Sequence, residues 1–335
     1  MEKKKRECIS LLRIIAICMV VMIHSGIYIS WSDNVKRYLS QGQMGLWIFM
    51  VLSGYLITAS FEKDNCNIKK YFQKRFLRIV PLYWSYLIIL MVIGKITGWF
   101  EYSVWDWFRN FIFCDLIIPS RNFSGMWGLG SLSSFFFFYL IGPVLIRWID
   151  KVDRGIIMLI VGILLRIFSP YAIRSILIHF SLIENQDSIY TFAENTPLAT
   201  IVFFVVGILI YRVEKSDNDK KIQLLAVLIM IWMSAIVIAT DSIRVIGFSG
   251  MLVATVALLP VELPQWVSRF NKIVSPYTFP VYICHFSVLD FTHILSGRET
   301  NTPLILLGPI VVAVIIHWCI EVPLTTVIKK KWMQG

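Results

Sequence analysis

Residues 3–29 read KKKRECISLLRIIAICMVVMIHSGIYI. Four basic residues, Lys3, Lys4, Lys5 and Arg6, precede a run that stays mostly apolar from residue 9 to residue 29. An α-helix needs about 20 mostly apolar residues to cross the hydrocarbon core, and this run supplies them. Basic residues collect on the cytoplasmic side of spans, so the N-terminus is predicted inside. A signal peptide has a similar outline, but this run is longer, holds Arg13 and His24, and lacks a small-residue cleavage site. It is read as a retained span.

The pattern recurs through all 335 residues. Apolar stretches cover 9–29, 44–61, 82–99, 127–148, 155–178, 198–211, 222–240, 245–261, 273–293 and 303–327. No period-two alternation suggests a β-barrel, so the expected class is all-α, a polytopic membrane protein with about ten transmembrane helices. The fifth stretch is expected to kink or end near Pro170. Most of the 32 lysines and arginines fall in alternate connecting segments, which places both termini in the cytoplasm. Residues 1–335 are expected to form one membrane domain with no accessory soluble domain.

Composition agrees. The chain is 57% hydrophobic and 16% charged, with mean hydropathy +0.70. Soluble domains carry about 25% charged residues, and disordered chains are poor in apolar ones. The net charge of +11 follows from basic inner loops, so no nucleic-acid partner is implied. Of the six cysteines only Cys114 falls clearly in an outer loop, so no structural disulfide is expected. No metal-ligand spacing is present. The basic, amphipathic segment 67–78 is read as an interfacial helix leading into the third span through Pro81. The outer segment 100–126, with Trp105, Trp107 and Phe108, is read as lying on the membrane surface or covering a site.

Ionisable residues inside spans are costly and point to function. Arg13 and His24 are eleven residues apart, which returns a helix to nearly the same face about 16 Å further along. His317 and Glu321, four apart, share a face of the last span. Glu321 is the expected counter-ion of Arg13. His285 lies in the ninth stretch, beyond Pro276 and Pro280, where a structural hydrogen bond is the plainer role. Arg75 and Arg78 suit a phosphate-rich ligand, and equally suit topology and anionic lipid. Polar stripes on a helical bundle also fit a transporter or flippase of a lipid-linked glycan or small molecule.

Taken together the motifs resemble the integral-membrane acyltransferases of acyltransferase family 3, over essentially the whole chain. They are Arg13-x10-His24, Phe49-Met-Val-Leu-Ser-Gly-Tyr-Leu-Ile57 and Arg75-Phe-Leu-Arg78-Ile-Val-Pro81-Leu-Tyr83-Trp84. Then follow Trp127-Gly-Leu, Tyr139-Leu-Ile-Gly-Pro143, Tyr277-Thr-Phe-Pro-Val-Tyr282-Ile-Cys-His285 and Glu321-Val-Pro323. The resemblance implies transfer of an acyl group, usually acetyl, from cytoplasmic acyl-CoA to a hydroxyl of a surface polysaccharide or O-antigen sugar, in a bacterial cytoplasmic membrane. It implies His24 as the catalytic histidine, Arg13 as its partner, and Arg75 and Arg78 as donor-binding residues. Glu321, His285 and Trp127 are supporting motif positions. Two features depart from the family pattern. Phe135 stands where many members have a glutamate, and the glycines before the second span are reduced to Gly42 and Gly45.

Overall fold

A computed structural model of the protein describes residues 2–29, 31–32, 34–35, 40–98, 102–121, 129–238, 241–296 and 302–334. Among these residues the regular structure is all helical. In chain order the helices are α1 (Glu2–Ser25), α2 (Met44–Lys63), α3 (Ile68–Thr97), α4 (Val104–Phe111), α5 (Ser131–Trp148), α6 (Val152–His179) and α7 (Gln186–Asn195). They continue as α8 (Pro197–Glu214), α9 (Asn218–Ile238), α10 (Asp241–Leu258), α11 (Gln265–Val274), α12 (Thr278–Leu295), α13 (Thr302–Ile316) and α14 (Val322–Gln334). A π-turn, His317–Glu321, joins the last two.

Among the described residues seven stretches are long and apolar enough to cross a membrane: Glu2–Ser25, Met44–Lys63, Ile68–Thr97, Ser131–Trp148, Val152–His179, Gln186–Glu214 and Pro303–Lys330. Arg244–Leu258 is apolar but shorter. The multi-span helical class therefore stands. The count of ten goes beyond what helix length and composition support among the described residues.

Two prolines lie inside continuous helices. The basic segment 67–78 leads into the third span as expected, as the first part of α3, which runs unbroken through Pro81. The fifth stretch does not end near Pro170, since α6 continues past it to His179. A proline removes one backbone donor, which a buried helix tolerates when neighbouring groups bond the freed carbonyls.

The chain forms two compact units. The first comprises Met1–Leu12, Trp47–Ile68 and Asp106–Leu263. Its centre is α8, nearly all of whose residues are buried, with α6, α5 and α10 packed around it. Part of α2 meets α8 through two glycines. A Cβ on Gly207 would collide with the Val51 carbonyl, and one on Gly54 with the Phe204 carbonyl. Small residues at such a crossing let helix backbones touch. This unit also buries charge in compensated clusters. Arg166 donates to the Glu194 carbonyl (2.7 Å) and pairs with its carboxylate (3.1 Å). Arg109, 1% exposed, pairs with Asp106 (2.8 Å) and Asp115 (3.2 Å) in the segment expected to lie at the surface. That segment thus has a folded, charged core, while Trp105 and Phe108 of α4 stay exposed.

The second unit comprises Arg13–Leu46, Lys69–Trp105 and Pro264–Gly335. Here α12 packs along α13. Ile29, just after α1, buries itself with Leu289 and Ile305 from these two helices. Gly42 and Gly45 lie against the Met19 and Ala16 carbonyls of α1. These two glycines thus hold the chain tight against the helix that carries His24.

Candidate active site

His24 occupies the last turn of α1, which stops at Ser25. The Ser25 hydroxyl donates back to the Met22 carbonyl (2.7 Å), and the chain turns through Gly26 and Ile27. This end of α1 meets α12. Nδ1 of His24 lies 2.8 Å from Nε2 of His285. The rings stack, with centroids 5.0 Å apart and planes 23° from parallel, and Phe286 meets the His24 ring edge-on.

The proton positions follow from the partners. Nδ1 of His285 lies 2.8 Å from the Tyr282 carbonyl oxygen, which can only accept, so Nδ1 carries the proton. In the neutral ring Nε2 of His285 is then the acceptor. Nδ1 of His24 must donate to it, which leaves the lone pair of His24 on Nε2. A histidine whose second nitrogen is fixed by a buried partner is oriented as a base or nucleophile. His285 is 1% exposed, so its orientation is set by packing as well as by Tyr282. The same unit places Arg13 on α1, half-buried, eleven residues before His24.

Arg75 and Arg78 both lie on α3. Arg75 is half-buried with its guanidinium 5.9 Å from the Tyr71 ring centre, and Arg78 is exposed. Glu321 lies in the π-turn, where its carboxylate bonds Nδ1 of His317 at 2.7 Å. Tyr277 meets the His317 ring edge-on and accepts from the Trp318 indole (3.2 Å). Two motif segments, around Tyr277 and around Glu321, are thereby joined. Trp127 lies outside the described residues. In the first unit the motif residues Ser53 and Tyr139 approach through their hydroxyls (3.4 Å).

Sequence reasoning missed three polar contacts of the second unit. The Tyr28 hydroxyl donates to Asp290 (3.3 Å), the hydroxyls of Tyr86 and Ser287 share a hydrogen bond (2.5 Å), and Tyr28 stands 5.1 Å from His293. Asp290 was the available signal, a carboxylate within an otherwise apolar stretch. Among the described residues no three of His, Cys, Asp and Glu come together as a metal site.

Comparison with known proteins bears on this arrangement. A family model described as an acyltransferase domain matches residues 6–322. A Staphylococcus aureus (strain COL) protein named "Putative O-acetyltransferase SACOL0978" is 22% identical over 335 residues, 84% of this chain and 50% of that one. The "Peptidoglycan O-acetyltransferase OatA" of Listeria monocytogenes serovar 1/2a is 25% identical over 177 residues, 45% of this chain and 26% of that one. The "Putative acetyltransferase ORF330" of Acidianus two-tailed virus is 20% identical over 255 residues, 73% of this chain and 72% of that one. The chain spans about half the length of the staphylococcal relatives it matches. No solved structure matches it.

Proposed function

The chain belongs to the integral-membrane acyltransferases of acyltransferase family 3, and from that premise we propose that it is a membrane O-acyltransferase. In this reading it moves an acyl group, most simply acetyl, from cytoplasmic acyl-CoA to a hydroxyl of a surface polysaccharide or O-antigen sugar. The observation that carries the reading is the chain from the Tyr282 carbonyl through His285 to His24, which leaves a lone pair on Nε2 of His24. The Listeria relative's name, a peptidoglycan O-acetyltransferase, supports a glycan hydroxyl as the acceptor.

A sugar hydroxyl is a weak nucleophile at neutral pH and needs a base. Nε2 of His24 takes its proton while the oxygen bonds to the thioester carbonyl. The carbon–sulfur bond then breaks, and the CoA thiolate leaves with a proton from the imidazolium. His285 holds the His24 ring and shares the positive charge through its Nε2. Arg13, on the same stripe of α1 about 16 Å nearer its N-terminal end, stabilises the developing oxyanion or the donor. Arg75 and Arg78 bind CoA phosphates through charge and paired hydrogen bonds. Glu321, with His317, supports the donor side. Trp127 keeps a supporting motif role.

The topology in this reading has ten spans with both termini in the cytoplasm of a bacterium, and the protein sits in its cytoplasmic membrane. The donor enters from inside and the acceptor, a glycan or lipid-linked glycan, from outside. The test is [14C]acetyl-CoA added to membranes that carry the protein and its glycans. Label should pass to glycan with the native protein and not with His24→Ala, at matched protein level. Equal labelling by the two would remove His24 from the chemistry, and no labelling by either would overturn the function.

A further inference from the structure

The polar contacts beyond His24 are not used by the transfer step. On α12, Phe286, Asp290 and His293 fall at i, i+4 and i+7, a single helix face. Its lower part holds the His24 ring through Phe286. One turn on, Asp290 accepts from the Tyr28 hydroxyl at 3.3 Å, and beyond it His293 faces the Tyr28 ring. The same face therefore continues from the His24 ring into a polar layer built by Tyr28, Asp290 and His293.

That layer is incompletely satisfied. Nδ1 of His293 is buried and has no hydrogen-bond partner, and neither has the buried indole nitrogen of Trp31. Tyr28 and Trp31 pack on the same cluster of Ile29, Leu289 and Ile305. An ionised carboxylate offers about four acceptor positions, and Tyr28 fills one of them. The indole can only donate, the carboxylate can only accept, and the imidazole nitrogen does one or the other. A water-excluded group without a partner is costly, so a ligand that both donates and accepts is called for. A hydroxyl group does both, and a polyol does so at several points.

We propose that Tyr28, Asp290, His293 and Trp31 form the subsite that holds the acceptor as a polyhydroxyl compound, a sugar ring, and aims one hydroxyl at Nε2 of His24. The inference rests on the acyltransferase reading and names the acceptor side of it. Asp290 and Tyr28 here orient the acceptor and choose between a sugar hydroxyl and water.

The test is a partition measurement. Membranes carrying the protein and their own glycans receive [14C]acetyl-CoA, and glycan-bound label is divided by free acetate. Asp290→Asn keeps the side-chain size and removes the charge, and Tyr28→Phe removes only a hydroxyl. Each should lower the ratio about tenfold or more, the scale of one lost hydrogen bond to a charged group. Should Asp290→Asn fail to accumulate, Tyr28→Phe decides alone. Label in both products with an unchanged ratio, or both products falling in step, overturns the subsite and leaves the acyltransferase reading standing. Native protein that yields neither product overturns the reading itself, and the subsite with it.

Discussion

His24 and His285, 261 positions apart in the chain, hold one another through a single 2.8 Å contact between ring nitrogens. His285 is in turn fixed by the Tyr282 carbonyl, so its role is to orient. Removing it frees the His24 ring and lets the proton move to the wrong nitrogen. His285→Ala should lower kcat by about 10²–10⁴-fold, the usual contribution of a positioned base, with little change in KM for the donor. His285→Gln should recover part of the loss, because an amide oxygen can accept from Nδ1 of His24. Native turnover in well-accumulated His285→Ala would show that the contact is only packing.

The donor end makes a different kind of prediction. Arg75→Ala and Arg78→Ala should raise KM for acyl-CoA about tenfold each and leave kcat at saturating donor nearly intact. Lysine at either position should restore only part of the affinity, since it lacks the planar fork. Unchanged KM in both alanine variants would assign these residues to topology and anionic lipid.

What the sequence made legible depended on the range of the interaction. Hydropathy marked helices because each span satisfies its own backbone, a local property. Arg13 and His24 could be placed on one stripe because they share α1. The partner of His24 could not be read, since nothing local says that α12 rather than another helix meets the end of α1. Lone histidine logic made His285 a structural hydrogen-bonder, which describes its bond to Tyr282 and omits its bond to His24. Pro170 does not end its helix because the break rule assumes solvent. Pro81 likewise lies within a continuous α3, where its missing N–H frees only the Leu77 carbonyl. The Arg109 cluster was hidden for a third reason, as charges in an outer connecting segment are ordinarily solvated, and only the folded segment, with Asp106 and Arg109 on α4 and Asp115 after it, buries them.

The crossing of α2 and α8 should tolerate no side chain. A Cβ on Gly207 would lie 2.6 Å from the Tyr55 nitrogen and would also strike the Val51 carbonyl. Both neighbours are backbone and cannot swing aside. Gly207→Ala should therefore cost about 1–3 kcal/mol, as overpacking does. The check is the thermal midpoint of the purified protein in detergent, and a midpoint equal to the native one would mean that the helices separate freely there.

The last expectation concerns acidity in the segment between α4 and α5. One arginine, Arg109, faces two carboxylates, Asp106 and Asp115, and all three are buried. Asp115 leaves its Oδ2 without a hydrogen bond. Burial pushes the Asp115 carboxyl up from 3.8 to about 6, although Arg109 pulls the other way. A carboxyl raised in the folded state favours folding while it is protonated. Its contribution is intact below about pH 4 and is lost as pH rises through about 6, a change of at most about 3 kcal/mol. The native protein should thus lose stability between about pH 4 and pH 6 relative to Asp115→Asn, which cannot ionise. Thermal midpoints of the two proteins, taken across that interval, measure the difference. Parallel curves would mean that Asp115 stays ionised throughout, with Arg109 outweighing burial.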